Sequence, residues 1–162
     1  YPGGPHIDRL ARDGNPQAVE LPRALSREKT FDFSFSGLKT AVLNYIHRER
    51  QSRKVEPLPE ELLADLAASF QAAVVEVLVA RTMEAAKEKR VRTVVMSGGV
   101  AANSLLRQEM SGAGGRESIA VYYPSLVLCT DNAAMIACAG YYRFRRGDRA
   151  SWSLNAEPDL RL

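Results

Sequence analysis

Residues 91–110 read VRTVVMSGGVAANSLLRQEM. An apolar run (Val91, Val94, Val95, Met96) stops at Ser97-Gly98-Gly99, and a helix-forming stretch follows from Ala101 to Met110. The order predicts a strand, a glycine turn and a helix. Backbone N–H groups at a helix start carry partial positive charge and suit a phosphate. Two residues without Cβ also let a ligand approach the main chain closely. The turn is neither a GxGxxG nor a P-loop, so taken alone it serves equally well as a plain connector.

Downstream, Gly112, Gly114 and Gly115 predict a loop, and residues 119–123 a second strand ended by Pro124. Two strands with a helix between them predict a parallel βαβ unit with a right-handed crossover. Residues 126–129 look strand-like. Thr130 or Asp131 can then cap a helix over 131–146, with Gly147 ending it and Arg143, Arg145 and Arg146 in its last turn. The tail, 152–162, has no periodicity and is expected to lie along the surface.

Upstream lies the longest helix, over 60–89, with Leu62, Leu63, Leu66, Phe70, Val74, Val77 and Leu78 at three- and four-residue steps. Residues 47–54, HRERQSRK, are a basic run, read either as a solvated helix end or as a polyanion contact. In 31–36, FDFSFS, phenylalanines alternate with polar residues at strand period. Ser36 is expected to cap a helix over 37–50, and Ser34, Ser36 and Lys39 offer donors at the rim of a cleft. Residues 1–5, YPGGP, read as a turn before a short helix over 7–12, with His6 beside it; Gly14, Asn15, Pro16 and Pro22 mark a loop.

The chain has 162 residues, 46% apolar and 25% charged, with 22 basic against 19 acidic side chains. That is enough for one domain with a sizeable core. A net charge of +3 is too mild to argue nucleic-acid binding by itself. Cys129 and Cys138 form no CxxC pair, which argues against a zinc ribbon or disulfide framework and fits a reducing, cytoplasmic setting. No apolar run reaches membrane-spanning length, and no signal peptide is visible. Tyr1 in place of Met raises the expectation of a piece of something longer.

Three residues invite chemistry, each with a plain alternative. Asp131 is a helix cap or a metal ligand. One carboxylate cannot hold a metal, and neither His6 nor His47 stands at a ligand spacing to it. Asn103 offers an amide to an adenine or ribose edge, or caps locally. Asp8, four residues past Gly4, accepts from a ribose hydroxyl or favours a helix dipole. No Ser/His/Asp or Cys/His arrangement and no close carboxylate pair stands out.

Four segments in order, YPGGPHIDRLA, FDFSFSGLKTAV, VVMSGGVAANSLLR and CTDNAAMIACAGYYRF, resemble the tRNA N6-adenosine threonylcarbamoyltransferases, formerly labelled O-sialoglycoprotein endopeptidases, and the bacterial members most closely. The similarity covers essentially the whole chain. It implies the α/β, actin-like (sugar kinase/heat-shock) ATPase fold, with a partly parallel sheet and long helices. Residues 1–162 would form the C-terminal lobe of a two-lobe transferase about twice this length.

The family moves a threonylcarbamoyl group from threonylcarbamoyl-AMP to N6 of the adenosine beside the anticodon. By motif, Gly4 and Asp8 match nucleoside contacts and Asn103 a further substrate contact. Ser97, Gly98 and Gly99 match the turn lining the phosphate region, and Asp131 matches a metal ligand. One Fe or Zn would be completed by two histidines of an HxxxH motif absent from this chain, so the chain alone is expected to be inactive. Threonylcarbamoyl-AMP (or ATP/ADP), tRNA, a paralogous actin-like protein and a small ATPase are the implied partners, with no membrane and a cytoplasmic location. Competing readings are a non-catalytic scaffold of the same fold and an ATPase or sugar kinase lobe. The joint presence of Gly98-Gly99, Asn103 and Asp131 argues against the scaffold, and CTDNAAMIA would be unexplained in a kinase.

Overall fold

A computed structural model describes residues 3–23 and 30–156, an α/β arrangement built on one central helix. Among the described residues, α1 (Gly3–Leu10), α2 (Ser36–Arg53) and α3 (Glu60–Glu88) come first. Then follow β1 (Thr93–Val95), α4 (Ser104–Arg116), β2 (Ala120–Tyr122) and α5 (Ala133–Arg145). Two 3-10 turns, Gly99–Ala102 and Leu126–Leu128, link β1 to α4 and β2 to α5.

α3 is the spine, with α1, α2 and α4 packed on it. Its N-terminal half joins Val19, Leu21 and Leu38 in one apolar cluster through Leu66 and Ala73. Its C-terminal half joins α4 and the strands in a second cluster through Val75, Met83 and Ala86. α3 is long and apolar enough to cross a membrane by length and composition, contrary to the expectation that no run reaches that length. Here the helices packed on it cover much of its apolar surface, as for a core helix.

Polar groups on α3 hold the 13–23 loop. Ser69, fully buried, accepts from the Val19 N–H (3.1 Å) and donates to the Asn15 carbonyl (3.2 Å). Asp65 accepts from the Asn15 N–H at 2.7 Å. Arg23 forks onto Glu76 at 2.7 and 3.2 Å, and this bond raises the guanidinium pKa further above its ordinary value. Gly14 lies so close to the Ala64 backbone that a Cβ has no room.

The parallel pairing expected for the strands is present, with Thr93, Val94 and Val95 opposite Ala120, Val121 and Tyr122. Several other local expectations are corrected. α1 starts at Gly3, not 7, because Pro5 in a first turn needs no N–H partner there. The FDFSFS stretch is not a strand; its alternating phenylalanines find no strand to pair with among the described residues. Ser36 is the first residue of α2 rather than its cap, which is Phe35. Residues 126–128 form a 3-10 turn, not a strand.

Gly112, Gly114 and Gly115 lie inside α4, not in a loop. Gly114 is needed for close packing: a Cβ there would sit 2.5 Å from Val121 Cγ2 and 2.6 Å from the Ile119 carbonyl. α5 begins at Ala133, capped by Asn132 rather than Thr130 or Asp131, since the Asn132 side chain accepts from the Met135 N–H at 3.0 Å. Gly147 does end it, with φ of +90°. Of the tail, residues 157–162 lie outside the described residues.

Candidate functional site

The site forms where α1 meets the start of α4, at the carboxyl ends of the two parallel strands. That edge of a parallel sheet is where ligands of open α/β folds usually bind. Asn103, at the end of the 3-10 turn, is the N-cap of α4, and its Oδ1 accepts from the Leu106 N–H at 2.9 Å. Its Nδ2 donates to Asp8 Oδ1 at 3.0 Å and to Gln71 Oε1 at 2.7 Å. Asp8 Oδ1 also takes the Ser104 N–H (3.0 Å) and hydroxyl (2.8 Å). Arg12 reaches Asp8 Oδ2 at 3.4 Å.

An acidic side chain from α1 therefore sits on the N-terminus of α4 and satisfies donors that a phosphate would otherwise take. The expected anion site at that helix start is in part already filled. What stays open is the turn before it. Ser97, Gly98 and Gly99 are exposed, and a Cβ at either glycine meets no atom within 4 Å. Gly98 has φ of +84°, the left-handed side of the map that favours glycine. An anion or polar ligand approaching the main chain at Gly98 and Gly99 meets no Cβ there.

Of the residues singled out from sequence, Asp8 and Asn103 are in direct contact. Gly4 lies one helical turn before Asp8 on α1, exposed, and Ser97-Gly98-Gly99 leads into Asn103 through the 3-10 turn. Both Asn103 amide hydrogens are committed within the protein, leaving spare acceptor capacity on Oδ1. Asp131 is exposed at the approach to α5. Two residues before it, Cys129 is buried and accepts from Arg107 Nη2 at 3.0 Å. Arg107 also donates to the Ala101 carbonyl (2.6 Å) and the Pro124 carbonyl (2.9 Å), and lies 4.5 Å from the Tyr123 ring centre. One guanidinium thus ties the segment leading to Asp131 to the 3-10 turn after the glycines.

Sequence reading missed Gln71 and Arg107. A glutamine on the buried face of an otherwise apolar helix was a usable signal for the first; the pattern around Arg107 held none. His6 lies on α1 within 3.1 Å of Arg9, and His47 is exposed on α2. Among the described residues no group of three His, Cys, Asp or Glu could hold a metal ion. The residues present do not by themselves make a metal centre; Asp131 brings a single carboxylate.

A depression of about 200 Å³ opens beside this node, lined by Arg12, Gln71, Ser104 and Gln108 among others. A larger groove of about 490 Å³, with Lys87, Arg90, Arg92 and Glu117 on its walls, lies at the opposite, amino ends of the strands. Size favours the groove, but the sheet direction and the polar node favour the depression.

A family model described as tRNA N6-adenosine threonylcarbamoyltransferase matches residues 1–138. Curated relatives bearing that name come from Moorella thermoacetica (55% identical), Symbiobacterium thermophilum (57%) and Clostridioides difficile (51%). Each match runs over 162 residues, covering 100% of this chain and 46% of the relative. The chain spans about half the length of the curated relatives it matches. With its glycine turn, the Asp8–Asn103 node and the Asp131 segment all inside the matched stretch, the chain belongs to the tRNA N6-adenosine threonylcarbamoyltransferase family.

Proposed function

We propose that this chain supplies one side of the active site of a tRNA-modifying acyltransferase. The reaction forms a bond between N6 of the adenosine beside the anticodon and the carbamoyl carbon of threonylcarbamoyl-AMP. The carbon–oxygen bond to phosphate breaks, AMP leaves, and the amine gives up a proton. The observation that carries this reading is the Asp8–Asn103 node beside an open Ser97-Gly98-Gly99 turn, in a chain about half identical to proteins of that name.

In this reading residues 1–162 are the C-terminal lobe of a two-lobe, actin-like fold, and the protein works in the cytoplasm on tRNA. A paralogous actin-like protein and a small ATPase are its partners. Gly4 and the free face of Asp8 Oδ2 lie against the nucleoside. Asn103 fixes Asp8 and the start of α4 rather than donating its own amide. The bare main chain at Gly98 and Gly99 takes the phosphate, holding the leaving group in line for attack by a weak nucleophile, where positioning counts most. A single Fe or Zn, with Asp131 as one ligand and two histidines outside this chain as others, would supply Lewis-acid chemistry.

The test is transfer by the purified full-length parent with threonylcarbamoyl-AMP and an unmodified tRNA, read as the mass of the modified nucleoside. Asp131→Ala is expected to lower a metal content of about one Fe or Zn per chain sharply. A folded parent that neither binds the adenylate nor transfers the group refutes the assignment, and unchanged metal content removes Asp131 from the metal site.

A further inference from the structure

Two short 3-10 turns carry parts of the site that no long element holds. Gly99–Ala102 follows the open glycine turn, and Leu126–Leu128 precedes Asp131. Such turns have poor hydrogen-bond geometry of their own, so their place depends on what grips them. The first runs straight into Asn103, the cap of α4. The second has no buried residue, and Leu126 and Val127 are 62% and 75% exposed.

Arg107, half-buried in the first turn of α4, reaches both. Its Nε donates to the Ala101 carbonyl, inside the first 3-10 turn, at 2.6 Å. Its Nη2 donates to the Pro124 carbonyl at 2.9 Å and to Cys129 Sγ at 3.0 Å, on either side of the second. The guanidinium also lies against the Tyr123 ring. Among the described residues, every other hydrogen bond made by 123–132 runs within five positions along the chain. Apart from Cys129 packed in the core, Arg107 is therefore what fixes this segment to the rest of the fold.

The hydrogen-bond acceptors of Arg107 are two carbonyls and a thiol, none of them a carboxylate. What the side chain contributes is a planar fork of directed N–H groups, not an ion pair. A lysine keeps the charge and loses the fork.

We infer that Arg107 is a positioning residue, a clamp that keeps the segment bearing Asp131 in register with the Ser97-Gly98-Gly99 turn. It acts through those two segments, not on the substrate. In threonylcarbamoyl-AMP the phosphorus and the carbamoyl carbon share one bridging oxygen, so the parts of a site that hold them have to keep a fixed spacing. The inference rests on the proposed function for the identity of that ligand, and on the geometry alone for the clamp.

Arg107→Met (stem kept, donors lost) and Arg107→Lys (charge kept, fork lost) in the full-length parent test it, by hydrogen exchange and by transfer kinetics. In both variants the amides of 123–132 are expected to exchange at least about 10-fold faster, while those of α3 and β1 stay within about 2-fold. The kcat of transfer is expected to fall about 100-fold, as for a small misplacement of a reacting group. AMP, used as a probe of the nucleoside and phosphate contacts, should keep its Kd within about 3-fold, because Asn103 still holds that side. Unchanged exchange over 123–132 overturns the clamp. So does exchange that rises uniformly through α3 and β1 with kcat intact, which would make Arg107 a plain core contact, and so does a lysine variant that matches wild type. The two readings fail separately: a wild-type parent that transfers nothing, with 123–132 loosened in the variants, sinks the enzyme assignment alone, and an active wild type whose variants keep kcat sinks the positioning role alone.

Discussion

Asp8 and Asn103 lie 95 residues apart in sequence and meet at 3.0 Å, with Gln71 closing the cluster from α3. Asn103 serves two ends at once, since it caps α4 through Oδ1 and holds a carboxylate through Nδ2. Asn103→Ala and Asp8→Ala in the full-length parent are each expected to cost about 1–3 kcal/mol in urea unfolding, from a missing cap and orphaned polar groups. The double variant should lose less than the sum of the singles by at least about 0.5 kcal/mol; strict additivity would show the pair is not coupled. Tyr45 provides a pH test on α2. Burial, with Glu49 adding to it, lifts its phenol above the ordinary value of 10.0. The neutral form is the one the fold favours, so the stabilisation is complete below pH 10 and drains as pH rises through the folded value. Wild type should lose stability above pH 10 that Tyr45→Phe retains, and parallel stability curves would contradict this.

α4 separates two uses of glycine within one helix. At Gly114 a Cβ would collide with β2 and its approach, whereas at Gly112 its nearest neighbour is the Arg116 side chain at 3.6 Å, an ordinary van der Waals distance. Gly114→Ala is therefore expected to cost about 1–3 kcal/mol by overpacking. Gly112→Ala should gain up to about 1 kcal/mol from helix propensity. Thermal unfolding of both variants checks the pair; equal shifts would mean that α4 does not press on β2 as described. The basic run shows the same local discrimination. Arg53 bonds Glu49 at 2.8 Å and Arg50 pairs with Glu56 at 3.1 Å, so part of its charge is answered within the protein.

At the scale of the whole molecule, α3 binds two apolar clusters into one body while α5 stays outside both. If the 47–54 face meets tRNA, it does so through Lys54 and through Arg48, whose pair with Glu49 is long at 4.0 Å, rather than through the more tightly paired Arg50 and Arg53. Arg48→Gln with Lys54→Gln should then weaken tRNA binding by the full-length parent and reduce its salt slope by about 1 for each phosphate no longer neutralised. An unaltered slope in a filter-binding titration would leave the run as a solvated face.

The chain order itself determined the strand–glycine–helix unit, the long spine helix and the parallel pairing, because apolar periodicity and turn chemistry act over a few residues. The same locality misplaced Gly112, Gly114 and Gly115, read as a loop by composition and held in a helix by close packing on β2. It also misplaced the cap of α5, where Asn132 outcompetes its neighbours. Gly4, Asp8, Asn103 and Asp131 could be singled out because they sit in long motifs, and of these the structure brings Asp8 and Asn103 into contact. Gln71 and Arg107 were not, since their partners come from elements far away in sequence. Only the tertiary structure decided that the carboxylate of Asp8 lies on the start of α4, which leaves Ser97-Gly98-Gly99 as the open part of the site. A hydrogen bond across 95 residues is set by how helices pack, and no local pattern encodes it.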